Sequence, residues 1–186
     1  MGCRLFSAVM ASIGHVAVGM ALGRYGAGEA PPRRVAAMML VLSALAMLPD
    51  ADVIAFALGI PYEAPWGHRG ASHSLMLAAG VAGVAAAGVR AARGPALKAG
   101  LLTFAAVGSH GLLDALTTGG LGAALLWPFT AARYFFPVRP IPVAPIGLGM
   151  LSARGLYVVM MELMLFLPFW GYALWPRRRA VRLVGE

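Results

Sequence analysis

The sequence predicts an all-α fold, a polytopic membrane helical bundle of about five transmembrane helices with one long surface loop. Three observations predict it. Of the 186 residues, 60% are hydrophobic and only 12% charged. The mean hydropathy is +0.78, more apolar than a soluble domain. The apolar residues fall into runs near the ~20 residues that cross a bilayer. Proline, glycine and arginine punctuate those runs. Residues 1–186 therefore read as a single integral-membrane domain with no separate soluble module.

The first run is Leu5–Gly23, closed by Pro31-Pro32-Arg33-Arg34. The second is Val35–Leu58. The third, Ser72–Val89, is rich in Gly and Ala, which suits close helix packing in lipid. Ser72 is placed to N-cap it, with His73 in the first turn. Gly94-Pro95 separates it from the fourth run, Leu97–Thr117. The fifth, Leu156–Trp175, ends at Pro176-Arg177-Arg178-Arg179, and residues 176–186 form a basic tail. Residues 118–154 are different. Pro128, Pro137, Pro140, Pro142 and Pro145 prevent a continuous helix. Trp127, Phe129, Tyr134, Phe135 and Phe136 place this segment as an ordered loop at headgroup depth.

The net charge of +8 is spread over the connections between apolar runs. That is the pattern of a membrane protein rather than a nucleic-acid binder, so no nucleic acid is expected as a partner. Ten of the fifteen basic residues fall on one side: Arg24, Arg33, Arg34, Arg90, Arg93, Lys98, Arg177, Arg178, Arg179 and Arg182. Arg4, Arg69, Arg133, Arg139 and Arg154 fall on the other. The first side, with the C-terminus, is predicted to be cytoplasmic. Cys3 is the only cysteine, which excludes an internal disulfide and a thiolate metal site.

The chain has four histidines and three aspartates, and all seven lie in short motifs within or beside the apolar runs. They are Gly14-His15, Leu48-Pro49-Asp50-Ala51-Asp52, His68-Arg69-Gly70-Ala71-Ser72-His73-Ser74 and Ser109-His110-Gly111-Leu112-Leu113-Asp114. An ionisable group in lipid costs roughly 2.5–3.5 kcal/mol on insertion scales, so its presence demands a reason. Helix counting gathers Asp50, Asp52, His68, His73, His110 and Asp114 toward the extracytoplasmic face. His110 and Asp114, four apart, project from one helix face and can reach one cation. His15 lies mid-span if its helix starts at Leu5. A start at Met10, or a helix beginning near Ser12, brings it to the same face. A cleaved signal segment is the competing reading and would discard it.

Imidazole and carboxylate without thiolate point to a divalent metal, zinc first, with manganese, iron or nickel as alternatives. A catalytic site of this kind yields a metal-bound hydroxide near neutral pH. Arg69 offers a planar donor fork for a phosphate or developing oxyanion. Glu162 is the one acid inside the last run. It reads either as a partner behind the metal ligands or as the mark of a helix interface.

These motifs, together with Leu126-Trp127-Pro128 and Phe136-Pro137-Val138-Arg139-Pro140-Ile141-Pro142, resemble the YdjM-like family of bacterial inner-membrane proteins, described as predicted metal-dependent hydrolases. The resemblance runs from about Ser12 to Gly147, with Ser72 where the family usually has Thr. The order His15, Asp50, His73, His110, Asp114 is more distantly similar to zinc-dependent phospholipases C and single-strand nucleases. Their later His-x-x-x-Glu and N-terminal Trp ligand are absent, so the resemblance implies one complete metal site. It leaves room for a second ion bridged by Asp114.

The expectation is thus a multi-pass protein of the bacterial inner membrane that cleaves a phosphoester or other ester of a lipid-like substrate. Asp50, His73, His110 and Asp114 would hold the main metal, assisted by His15 and His68. Asp52 or His68 would serve as general acid or base, and Arg69 would stabilise the anion. Membrane lipid is the expected partner. Two other readings stay open. One is a non-catalytic metal-binding membrane protein, a sensor, transporter or envelope-complex component. The other is an ion-coupled transporter using the same charges without metal.

Overall fold

A computed structural model describes residues 13–145, 149 and 151–176. Among them the chain is all-helical. Seven α-helices follow in order: α1 (Ile13–Ala27), α2 (Pro32–Ala46), α3 (Ile54–Ala57), α4 (Leu75–Ala91), α5 (Ala96–Ala115), α6 (Ala153–Leu165) and α7 (Leu167–Leu174). Two 3₁₀ turns, Leu48–Val53 and Ala71–His73, complete them. The alternative starts at Met1 and Met10, Arg4, Cys3 and the basic residues from Arg177 onward lie outside the described residues.

Proline and glycine set the frame. Pro32 occupies the first turn of α2, where a missing N–H costs nothing. Gly19 and Gly23, four apart on α1, face α2. A Cβ on either would collide with the backbone of Ser43 or Met39. This small-xxx-small face lets the two backbones touch, and Ser43 Oγ adds a hydrogen bond to the Val16 carbonyl at 3.2 Å. α4 lies against α5, and α5 also packs on α1 and α2. One apolar cluster (Leu42, Ala46, Leu102, Ala106) joins α2 to α5. Another (Ala17, Val18, Ile141, Phe166) joins α1 to the loop and to the α6–α7 bend.

The observed helices depart from the expected spans at three places. The second run is not one helix. It breaks after Ala46 into the 3₁₀ turn carrying Pro49, and the two halves bend by 44°. The fifth run bends by 63° between α6 and α7, with Pro168 in the first turn of α7. Ser74, not Ser72, caps α4 by accepting the Leu77 N–H at 3.1 Å. Ser72 and His73 are left in the 3₁₀ turn before it. Among the described residues α5 is the one helix long and apolar enough to cross a membrane, or one of up to three if each bent pair forms one span. α4, with 17 residues, is shorter.

Among the described residues between α5 and α6 no α-helix forms, as the proline density requires. The segment instead satisfies the open C-terminal carbonyls of α5. Phe136 N–H donates to Ala115 O at 2.8 Å and Ile141 N–H to Leu116 O at 3.3 Å. Large exposed side chains such as Leu40, Leu97, Leu101 and Leu174, each more than 60% accessible, cover the outside. Apolar surface of that extent marks contact with lipid or protein rather than water.

Candidate metal centre

Three elements converge at one end of the bundle. The break after α2 places Asp50 and Asp52 in a 3₁₀ turn, where residues two apart point in different directions. Asp50 faces α5 and Asp52 faces the His68–His73 segment. His73 comes from the turn before α4, and His110 and Asp114 come from adjacent turns of α5. Gly111 makes the meeting possible, because a Cβ there would collide with the His73 carbonyl.

One ligand atom each from Asp50, His73, His110 and Asp114 lies within 4.8 Å of every other. His73 Nε2 is 3.1 Å from Asp114 Oδ2 and 3.6 Å from Asp50 Oδ1. His110 Nε2 is 3.2 Å from Asp50 Oδ1 and 3.8 Å from Asp114 Oδ2. Four donors about 2.0–2.1 Å from a tetrahedral ion stand roughly 3.3 Å apart, so these spacings fit one. The same four atoms, Asp50 Oδ1, His73 Nε2, His110 Nε2 and Asp114 Oδ2, are buried and face only one another and, at Asp114, Arg69 Nε. Two carboxylate oxygens and two imidazole nitrogens turned toward one buried point are costly unless a proton or a cation lies between them. The donor set of two imidazoles and two carboxylates suits a divalent ion.

The surrounding groups fix the ring orientations. His110 Nδ1 lies 2.6 Å from the carbonyl of Ala46, the last residue of α2. Donation there leaves Nε2 as the lone-pair nitrogen facing Asp50. His73 Nδ1 lies 3.2 Å from Asp52 Oδ2, which holds its Nε2 toward the centre. Asp52 is itself saturated. Its Oδ1 is 2.7 Å from His68 Nδ1, and its Oδ2 accepts from Arg69 N–H at 3.1 Å and from the Ser72 hydroxyl. Burial alone would lower the pKa of His73, but Asp114, Asp50 and Asp52 outweigh it and push it up to about 10. A proton on His73 and a divalent ion would compete for the same place.

The remaining sequence candidates sit around this quartet. His15, in the first described turn of α1, stacks on His110 with ring centroids 3.9 Å apart. Its Nε2 is 3.7 Å from Asp114 Oδ1, and it is not one of the four converging residues. His68 belongs to a second group with Asp52 and His73 and stacks on Tyr62 at 5.5 Å. Arg69 is buried, with φ 61°. Its Nε lies 3.1 Å from Asp114 Oδ2, and its Nη1 donates to Thr117 Oγ1 at 3.0 Å and to Gly119 O at 3.1 Å. Glu162, buried on α6, accepts the Gly14 N–H at 3.1 Å and so fastens the start of α1.

Two contributors escaped the sequence reading. The Ala46 carbonyl acts through backbone and leaves no side-chain signal. Arg133 donates to the carbonyls of His68 (2.8 Å) and Tyr62 (2.7 Å), pinning the histidine segment to the proline-rich loop. An arginine in a loop has no local pattern that reveals such a long-range role. Beside the quartet lies a cavity of about 20 Å³ lined by His15, Asp50, Arg69, Asp114, Thr117 and Glu162, among others. That volume accommodates about one water molecule.

An all-helical, lipid-grade bundle closing over a buried His/Asp quartet defines a class: a membrane protein with a candidate site for a divalent metal. Within that class, the chain belongs to the YdjM inner membrane protein family, whose model matches residues 10–180. It is 39% identical over 173 residues to inner membrane protein YbcI of Escherichia coli (strain K12), covering 89% of this chain and 98% of that protein. No solved structure matches the chain. Family and relative alike place the protein at the inner membrane.

Proposed function

We propose that the protein is a membrane-embedded, metal-dependent hydrolase acting on a phosphoester or other ester of a lipid-like substrate. The observation that supports it most is the quartet of buried ligand atoms converging from Asp50, His73, His110 and Asp114. Zinc fits this donor set best, with manganese, iron or nickel as alternatives. Such an ion supplies Lewis acidity toward an ester oxygen and makes a nucleophile available at neutral pH.

The protein's own groups do the rest. Asp52 and the Ala46 carbonyl hold the two imidazoles in the ligating tautomer. His15 lines the adjoining cavity and, with His68, is the remaining imidazole near the centre. Arg69 also lines the cavity, and its fixed positive charge favours an anion there. Because Asp52 accepts from four directions, a positioning role suits it better than proton transfer. In the membrane, α1, α2 with α3, α4, α5, and α6 with α7 would give five crossings. The metal centre would lie toward the extracytoplasmic face and the C-terminus in the cytoplasm.

One observation favours a non-catalytic metal site. Four protein ligands with space for about one water resemble a closed, structural shell. Detergent-purified protein, loaded in turn with zinc, manganese, iron and nickel and offered lipid esters and phosphoesters, decides between them. Hydrolysis that disappears in His110→Ala is expected. Stoichiometric metal with no cleavage under any ion would leave the structural reading.

A further inference from the structure

A groove of about 350 Å³ runs along the seam between α1 and α7. Val18, Ala21 and Leu22 line it from α1, and Pro168, Phe169 and Tyr172 line it from α7. The α1 positions follow Gly14 at spacings of three and four, so they share one helix face. Gly14 and His15 line the small cavity at the metal centre. One face of α1 thus leads from that cavity into the groove.

Phe166 stands between the two spaces. It lines the metal cavity, packs with Ala17, Val18 and Ile141, and sits at the bend between α6 and α7. Its ring fills the space a side chain at Gly14 would need. At the far end Tyr25 lines the groove. There Arg24 donates to the carbonyls of Ala173 (3.0 Å) and Trp175 (2.6 Å), tying α1 to the end of α7. From Val18 to Tyr25 the groove-lining face of α1 rises roughly 10 Å, room for part of one acyl chain.

We propose that this groove holds one hydrocarbon tail of a membrane lipid whose ester or phosphoester group reaches the metal centre past Phe166. The inference rests on the hydrolase reading and names its substrate class: an ester lipid with a long apolar tail, not a water-soluble ester. Two features argue for this occupant. The lining is apolar, and through Phe166, which packs on Val18, the groove abuts the cavity at the metal centre.

Photolabelling tests it without relying on turnover. The full chain is placed in nanodiscs of phosphatidylethanolamine and phosphatidylglycerol containing a trace phospholipid with a mid-tail diazirine, and labelled peptides are mapped after irradiation. Label concentrated on Val18–Leu22 and Pro168–Tyr172 is expected, and a diazirine beside the ester should mark Leu113 or Ile141. Filling the groove with Ala21→Phe should lower groove labelling roughly tenfold, about 1.4 kcal/mol of lost binding, at unchanged metal content. Label spread evenly over the exposed helix faces overturns the proposal, and the wild-type map gives that answer even if the variant fails to fold. A labelled groove without ester cleavage under any metal supports the lipid site and defeats the hydrolase reading. Cleavage without groove label does the reverse.

Discussion

His110 shows how one residue links two elements. Its Nδ1 meets the last carbonyl of α2 and its Nε2 faces Asp50 on the turn that follows. Replacing it with alanine removes a ligand and leaves two buried carboxylates facing each other. Metal analysis of purified His110→Ala is expected to show loss of the bound ion. Asp52 acts at one remove. Asp52→Asn weakens its hold on His73, and metal affinity measured by competition with a chelator should fall about 10–100-fold while the fold persists. His73 sets the pH dependence. Its pKa is raised from 6.5 to about 10, so its contribution to the metal-free fold is complete below about pH 6.5 and lost as pH rises through about 10. Across that window each proton yields to the ion, and apparent metal affinity should rise about tenfold per pH unit, readable by titration calorimetry. The convergence of Asp50, His73, His110 and Asp114 was legible in the sequence. Histidine and aspartate are costly in apolar runs, and His110 and Asp114 share a helix face by spacing alone. The roles of Asp52, Arg133 and the Ala46 carbonyl were not, because they depend on contacts between segments far apart in the chain.

At the level of elements, local chemistry decides where helices stop. Pro49 and the prolines of the loop end helical runs as their missing N–H requires, yet a hydropathy window passes over Pro49 because its neighbours are apolar. The second run therefore reads as one span although it bends by 44° after Ala46. That bend is what turns Asp50 into the centre. The cap of α4 differs from expectation by two residues, since either Ser72 or Ser74 could serve and Ser72 instead donates to Asp52. Ser74→Ala should cost about 1 kcal/mol of stability in detergent unfolding. The α1–α2 contact is tighter. Gly23→Leu would drive a side chain into the Met39 backbone, and a loss of about 1–3 kcal/mol or more is expected as a lowered Tm.

Across the whole molecule, apolar surface and candidate metal site follow one plan. The converging His and Asp side chains gather at one end of the bundle, while exposed leucines and aromatics cover its outside. The all-helical class was legible because composition alone excludes a soluble domain. The number of crossings was not, because broken helices and continuous ones share the same mean hydropathy. The most direct test of the account is X-ray absorption on zinc-loaded protein in detergent. The account predicts one ion per chain with about four nitrogen and oxygen ligands near 2.0–2.1 Å, no sulfur, and a changed spectrum in His110→Ala. A substoichiometric ion, or a spectrum that His110→Ala leaves unaltered, would contradict it.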